Sequence, residues 1–322
     1  MQPAKAEFAK RFAGRQEQGH HNDPRFTILL LSIRANTKAI LWVLTGTALF
    51  SLLFASAKFA GESASVFQVM FLRYVGGLAA LALVAGLQRR GWASLRSRQP
   101  LLHGVRALFG VSGGLSIVYA SAAMPIIDAT AIGLLYVVFV VPLGVVLLRE
   151  AVNARHLWGI LLSSAGAATV VASRGAFQAF DTAYLWPALV AVLGALLLAF
   201  EGLMIRLLAV REDPLVVLVH VNAFGLLLLL LPAWWTWQPT EALGLAPFLL
   251  LGPLVVTAQY CIVRGYALAP LAVVGPVDYA WLVFAALIGL AFFGEMPTAG
   301  VVVGSLITAA GGAALAKADE PR

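Results

Sequence analysis

The sequence predicts an all-α integral membrane protein whose ten transmembrane helices form a 5+5 inverted-topology repeat. Three observations predict it. First, 61% of the 322 residues are hydrophobic and 11% charged, with mean hydropathy +0.90. A soluble domain carries about 25% charged residues, so this chain lacks the polar surface to stay dissolved. Second, uncharged runs long enough to cross ~30 Å of hydrocarbon, about 20 residues each, recur along the chain. Third, the chain aligns with itself at an offset of 145 residues without a gap.

The elements follow in order, their ends uncertain by a few residues. Span one, 39–58, leaves a basic tail and closes on Lys58, and span two, 65–87, runs to the Arg89–Arg90 pair. Spans three and four, 101–123 and 126–148, are joined by a tight turn at Pro125, and the fourth stops at Arg149. Span five, 155–173, starts after Asn153 and stops before Arg174; span six covers 183–206. Span seven, 214–237, opens on Pro214 and ends in a cluster of Trp234, Trp235 and Trp237 that reads as an interfacial belt. Spans eight, nine and ten cover 245–267, 270–293 and 298–316, with Pro270 and Pro297 in the turns. The apolar runs are continuous rather than alternating, which excludes barrel strands. The organisation is a basic tail (1–37), a first repeat (38–173), a second repeat (183–316) and a short tail (317–322).

The lone Cys261 excludes an intrachain disulfide. The net charge of +7 invites a nucleic-acid reading, but the basic residues sit in short loops between spans rather than on one folded patch. Of 22 Lys and Arg, 17 fall on the side of the two termini, and only Lys58 and Arg174 on the other. The positive-inside rule then makes both termini cytoplasmic in a multi-pass protein of the cell (inner) membrane, with the bilayer as its partner. The polar N-terminal 38 residues lack a signal-peptide core. Phe8 and Phe12 allow a membrane-surface helix there, with a basic tail as the plainer reading. His20, His21 and Asp23 lack the further ligands a metal needs, so no metal or cofactor is expected.

The repeat matches Pro125 with Pro270, Phe139 with Phe284, Gly144 with Gly289, Glu150 with Glu295, Gly159 with Gly304 and Gly166 with Gly311. Five spans per copy is an odd number, so the second copy enters the membrane from the opposite side. Inverted repeats are a signature of secondary transporters, because two equivalent halves can exchange conformations at little energetic difference.

Several short motifs stand on this framework: Arg73 in Phe-Leu-Arg-Tyr, the Arg106-Ala-Leu-Phe-Gly-Val opening of span three, Leu147-Leu-Arg-Glu150, Gly275-Pro-Val-Asp-Tyr279 and Phe292-Phe-Gly-Glu295. With Lys58 closing span one, they make the chain resemble the drug/metabolite transporter superfamily, and its ten-helix EamA-type members in particular, over residues 38–316. The resemblance implies a central cavity between spans of both halves and transport by alternating access. Its members include exporters of amino acids or drugs and importers of riboflavin or S-adenosylmethionine.

Ionisable groups inside a membrane mark candidate sites. Asp278, eight residues into span nine beside Pro276, reads as a substrate or proton-coupling group, or as half of a structural ion pair. Arg73 would clamp an anion or neutralise an internal carboxylate. Arg264 and Glu201 approach the same membrane face and would pair there as a gate, or else snorkel. Arg106, near the start of span three, reads as snorkelling, and Asp128 as a helix N-terminal charge. His220 and Asn222 would serve proton coupling or interhelical hydrogen bonding, and Tyr136 and Trp281, equivalent under the offset, would line a cavity.

The expected function is a secondary active transporter of a small organic metabolite (an amino acid, vitamin, nucleoside-like or drug-like solute), ion-coupled or exchanging. No nucleotide-binding loop is present to power it otherwise. An intramembrane aspartyl protease would need Asp128 and Asp278 at one depth, and a channel would need charge rings or a carbonyl filter. Neither pattern is met, so no enzyme activity is expected. A homodimer is compatible with the sequence.

Overall fold

The computed structural model describes residues 24–60, 64–178, 181–239, 242–294 and 296–318. They form ten helices and no strand: α1 (Pro24–Ala60), α2 (Val66–Leu87), α3 (Pro100–Ala123), α4 (Ile126–Leu148), α5 (Ala154–Ser173), α6 (Leu185–Ala209), α7 (Pro214–Trp235), α8 (Ala242–Leu268), α9 and α10 (Ala299–Ala316). Helix α9 is composite, with a helical turn Leu271–Val274, a 3-10 segment Gly275–Tyr279 and a longer piece Ala280–Phe293. Among the described residues, α2 to α10 are each long and apolar enough to cross a membrane. Helix α1 begins well before the expected span at 39, and its 37 residues reach about 55 Å by helical rise, more than the hydrocarbon needs. The tail residues Phe8, Phe12, His20 and His21, and the repeat residue Glu295, lie outside the described residues.

Local chemistry sets the helix ends. Ser65, Asp213 and Thr298 each turn a side-chain oxygen onto a backbone N–H in the first turn of α2, α7 and α10. Asn153 and His156 cap α5 reciprocally. Outward faces carry Leu83, Val146, Trp158, Leu189 and Leu306, all more than half exposed. Such a surface belongs against lipid, and the helices meet one another through small residues instead.

The duplication is visible in the packing. The main helix pairs are α5–α10, α3–α6, α1–α8, α2–α8, α2–α7, α4–α6, α3–α7 and α1–α9. Adding or subtracting five turns α3–α6 into α1–α8, α2–α8 into α3–α7 and α4–α6 into α1–α9, while α5–α10 and α2–α7 map onto themselves. The two halves are therefore exchanged by one pseudo-two-fold operation. Its direction is fixed where α5 crosses α10: Gly159 lies against Gly311, Gly166 against Gly304, and Ser173 against Gly300. Equivalent helices thus run antiparallel, which is the inverted arrangement.

The repeat also governs where helices break. Helix α4 is interrupted at Leu134, and the 3-10 segment of α9 ends 145 positions later at Tyr279. Both helices then end on a left-handed residue, Arg149 (φ 55°) and Gly294 (φ 67°), whose N–H reaches back five residues to Gly144 and Gly289. The break in α9 has the larger consequence, because it falls at Asp278.

Candidate functional site

Gly275 and Pro276 interrupt the α-helical hydrogen bonding of α9, and the tighter 3-10 turn sets Asp278 in the middle of the bundle. Three hydroxyls converge on its carboxylate. Thr47 of α1 donates to Oδ1 at 3.0 Å, Tyr266 of α8 donates to Oδ2 at 3.4 Å, and Tyr136 of α4 also donates to Oδ2. No cation among the described residues faces Asp278, so its ion-pair alternative has no partner there. A hydroxyl both donates and accepts, so this cage can hold a carboxylate and, by turning one O–H, a carboxylic acid. That is what a proton-exchanging group needs.

Trp281 lies on the same helix and packs with Tyr136 against the buried side chains Val137, Val170 and Tyr279. The two aromatics picked out by the repeat are thus neighbours of one cluster. Tyr279 itself receives a hydrogen bond from Ser164 of α5. The sequence reading overlooked Thr47 and Tyr266; only their position opposite Asp278 distinguishes them from other hydroxyls in apolar helices.

A second charged group is built from α2, α3 and α6. Arg106 of α3 is 1% exposed, and its Nε sits 3.9 Å from Glu201 Oε1 of α6. Gly110, one turn along α3, leaves the space that this carboxylate fills. Arg73 of α2 lies over the Tyr74 ring, 5.0 Å from its centroid, and its charge also acts on Glu201. Tyr266 links the groups: its ring lies against Gly202, the residue after Glu201, while its hydroxyl faces Asp278. Two expectations are corrected here. Arg106 does not snorkel, because α3 is packed between α6 and α7 and the side chain is buried there, 1% exposed. Arg264 does not pair with Glu201; it is exposed and lies 5.8 Å over the Trp42 ring on the outside of α8.

At the end of the bundle where Asn36 of α1 bonds the Ala318 carbonyl, Glu150 ties four helices together. It follows α4, accepts from the Leu271 N–H that starts α9 at 2.7 Å, and pairs with Arg206 of α6 at 3.3 Å. Arg206 also donates to the Tyr266 carbonyl of α8. Burial pushes the Glu150 carboxyl above its ordinary range, against the opposing pull of the Leu271 N–H and the Arg206 guanidinium. Glu150→Ala would leave a largely buried guanidinium with the Tyr266 carbonyl but no counter-charge and the Leu271 N–H without its acceptor, at a cost of about 2 kcal/mol. Glu150→Gln keeps an acceptor for Leu271 and should lose about half as much. Thermal unfolding in detergent checks the order; equal stability of all three proteins would show that the contact holds nothing.

The remaining candidates lie elsewhere. His220 hydrogen-bonds the Val216 carbonyl through Nδ1 at 2.9 Å and stacks on His103, ring centroids 4.7 Å apart, near the same end. His103 bonds Glu212 at 2.8 Å. Burial opposes ionisation of Glu212, but the hydrogen bonds from Ser97, His103 and the Arg98 N–H outweigh it and hold that carboxyl below its usual range. His220 also borders a surface cavity of about 680 Å³ with Arg96, Ser97 and Arg98. Asn222 is buried, bonds the Leu218 carbonyl at 2.8 Å and packs on Gly77 of α2. Neither His220 nor Asn222 is among the groups around Asp278. Asp128 accepts from the Phe177 N–H at 2.7 Å and so fastens the segment after α5.

Known proteins resemble the chain in the same terms. Residues 37–172 match the model of the EamA-like transporter family. A riboflavin transporter of Rhizobium johnstonii is 33% identical over 286 residues, which are 85% of this chain and 89% of that protein. A crystal structure of a protein 21% identical superposes with a TM-score of 0.73, covering 87% of this chain and 97% of that one. At that identity the likeness speaks for the fold alone.

Proposed function

The chain belongs to the EamA-like transporter family, a membrane transporter of small metabolites, and from that premise we propose that it carries a riboflavin-like solute by proton-coupled alternating access. The observation that carries the coupling is the Asp278 cage: an acidic side chain amid neutral hydroxyls from three helices of both halves. The flavin-like solute is suggested by the relative that is 33% identical. Tyr136 and Trp281 supply aromatic surface for a planar ring, and the hydroxyls supply hydrogen bonds for its polar edge.

In this mechanism the pseudo-symmetric halves rock about the centre, and Asp278 faces one side of the membrane at a time. Glu150, Arg206 and the start of α9 form the closure at the end where Asn36 meets Ala318, which the distribution of Lys and Arg assigns to the cytoplasm of the cell (inner) membrane. Proton exchange at Asp278 changes the charge of the central site and so couples solute binding to the gradient.

The test is uptake of radiolabelled riboflavin by proteoliposomes with and without a pH gradient. Gradient-dependent accumulation is expected. Riboflavin that neither enters nor competes with any other solute would remove the flavin from the proposal, and accumulation indifferent to the gradient would remove the coupling.

A further inference from the structure

The group around Arg106 is short of one negative charge. Among the described residues Arg106 pairs with the carboxylate of Glu201, and the charge of Arg73, which has no ion pair of its own there, also acts on that carboxylate. Arg106 is 1% exposed, yet its Nε and Nη1 have no hydrogen-bond partner among the described residues, and the buried Nε of Arg73 has none there either. A buried charge is tolerated only when it is paired and its donors are satisfied. The 3.9 Å contact between Arg106 and Glu201 exceeds hydrogen-bonding distance, so it supplies charge and leaves donors free. An arginine fork suits a planar or tetrahedral oxyanion, which takes two parallel N–H bonds.

We propose that Arg73 and Arg106 form an anion subsite in the transport path, filled by an anionic group of the solute or by a small inorganic anion that travels with it. The subsite rests on the transporter reading. Tyr266, whose ring lies against Gly202 and whose hydroxyl faces Asp278, connects it to the proton-exchanging carboxylate, so a proton on Asp278 and an anion on the arginines would load the carrier together with little net charge. Glu201 competes with the anion from inside the site, and this weakens binding enough to permit release.

The experiment uses the full-length protein in detergent and reads its thermal unfolding midpoint against benzoate, the isosteric neutral benzamide, chloride and inorganic phosphate. Benzoate should raise the midpoint and benzamide should not. Arg106→Gln should abolish the shift. Glu201→Gln should lower the half-saturating benzoate concentration about tenfold, because an opposing charge leaves a low-dielectric site. A shift with chloride or phosphate alone would assign the subsite to a companion anion, and a shift with benzoate alone to the solute's own group. Equal shifts with benzamide, a shift that persists in Arg106→Gln, or no shift with any anion would overturn the proposal. Should Arg106→Gln fail to fold, Glu201→Gln decides: stability lost without tighter anion binding would mean a purely structural pair. Riboflavin uptake is a separate readout, so a carrier that ignores flavins but binds benzoate keeps the subsite and loses only the flavin.

Discussion

Asp278→Asn should reduce gradient-driven solute uptake by at least about tenfold, the loss that 1.4 kcal/mol of coupling represents, while leaving the protein folded. Asparagine preserves the shape of the side chain and still offers Thr47 an acceptor at the position of Oδ1. What it cannot do is exchange a proton. The expected signature is therefore a split: accumulation against a pH gradient disappears, while equilibrium binding of solute and the unfolding midpoint change little. Tyr136→Phe and Tyr266→Phe each remove one hydroxyl from Oδ2 and should give smaller losses that still respond to the gradient. A full gradient response in Asp278→Asn would make the carboxylate a structural element and would place proton exchange elsewhere.

The visibility of Asp278 in the sequence, and the invisibility of its partners, have one physical cause. A carboxylate within an apolar span is expensive, so its presence asks for a function. A threonine or tyrosine hydroxyl in the same setting costs little when it can bond within its own helix, as Thr45 does to the Leu41 carbonyl. Thr47 differs from Thr45 only in its direction, and that direction is set by contact with a residue 231 positions away. The repeat could supply Tyr136 and Trp281 because it carries three-dimensional information in one dimension. It could not supply Tyr266, which acts with Asp278 from its own half.

The two misread arginines show where depth along a helix stops being informative. Arg106 and Arg264 both lie near span ends; the sequence reads Arg106 as snorkelling and Arg264 as pairing with Glu201 or else snorkelling. Arg264 points outward beside Trp42, whereas Arg106 points between α3 and α6. A residue count gives depth, but the side of the helix matters equally, and nearly uniform apolar helices carry little record of which side faces the bundle. The glycines carry more of that record. Gly110 admits the Glu201 carboxylate, and the Gly159–Gly166 pair on α5 meets its equivalents on α10.

The same close packing gives the largest expected structural effect. Gly252→Ala should destabilise the protein by about 3 kcal/mol or more, since overpacking against backbone admits no rotamer escape. A Cβ on Gly252 of α8 would stand 2.2 Å from the Gly77 nitrogen, 2.4 Å from the Gly76 carbonyl carbon and 2.6 Å from the Arg73 oxygen. The converse change, Gly76→Ala, would bring a methyl group within 2.0 Å of the Leu249 oxygen and should cost as much. Gly86→Ala, at a position with no atom within 4 Å, is the control and should be neutral. The consequence reaches the proposed transport path, because α2 carries Arg73 and α8 carries Tyr266, whose hydroxyl bonds Asp278. Forcing these helices apart should therefore reduce uptake in whatever protein still folds, beyond the loss explained by yield. Thermal unfolding and uptake per folded molecule test both halves of the prediction. A Gly252→Ala protein as stable as Gly86→Ala would mean that α2 and α8 stand farther apart than described, and the link between the anion subsite and the proton site would lose its frame.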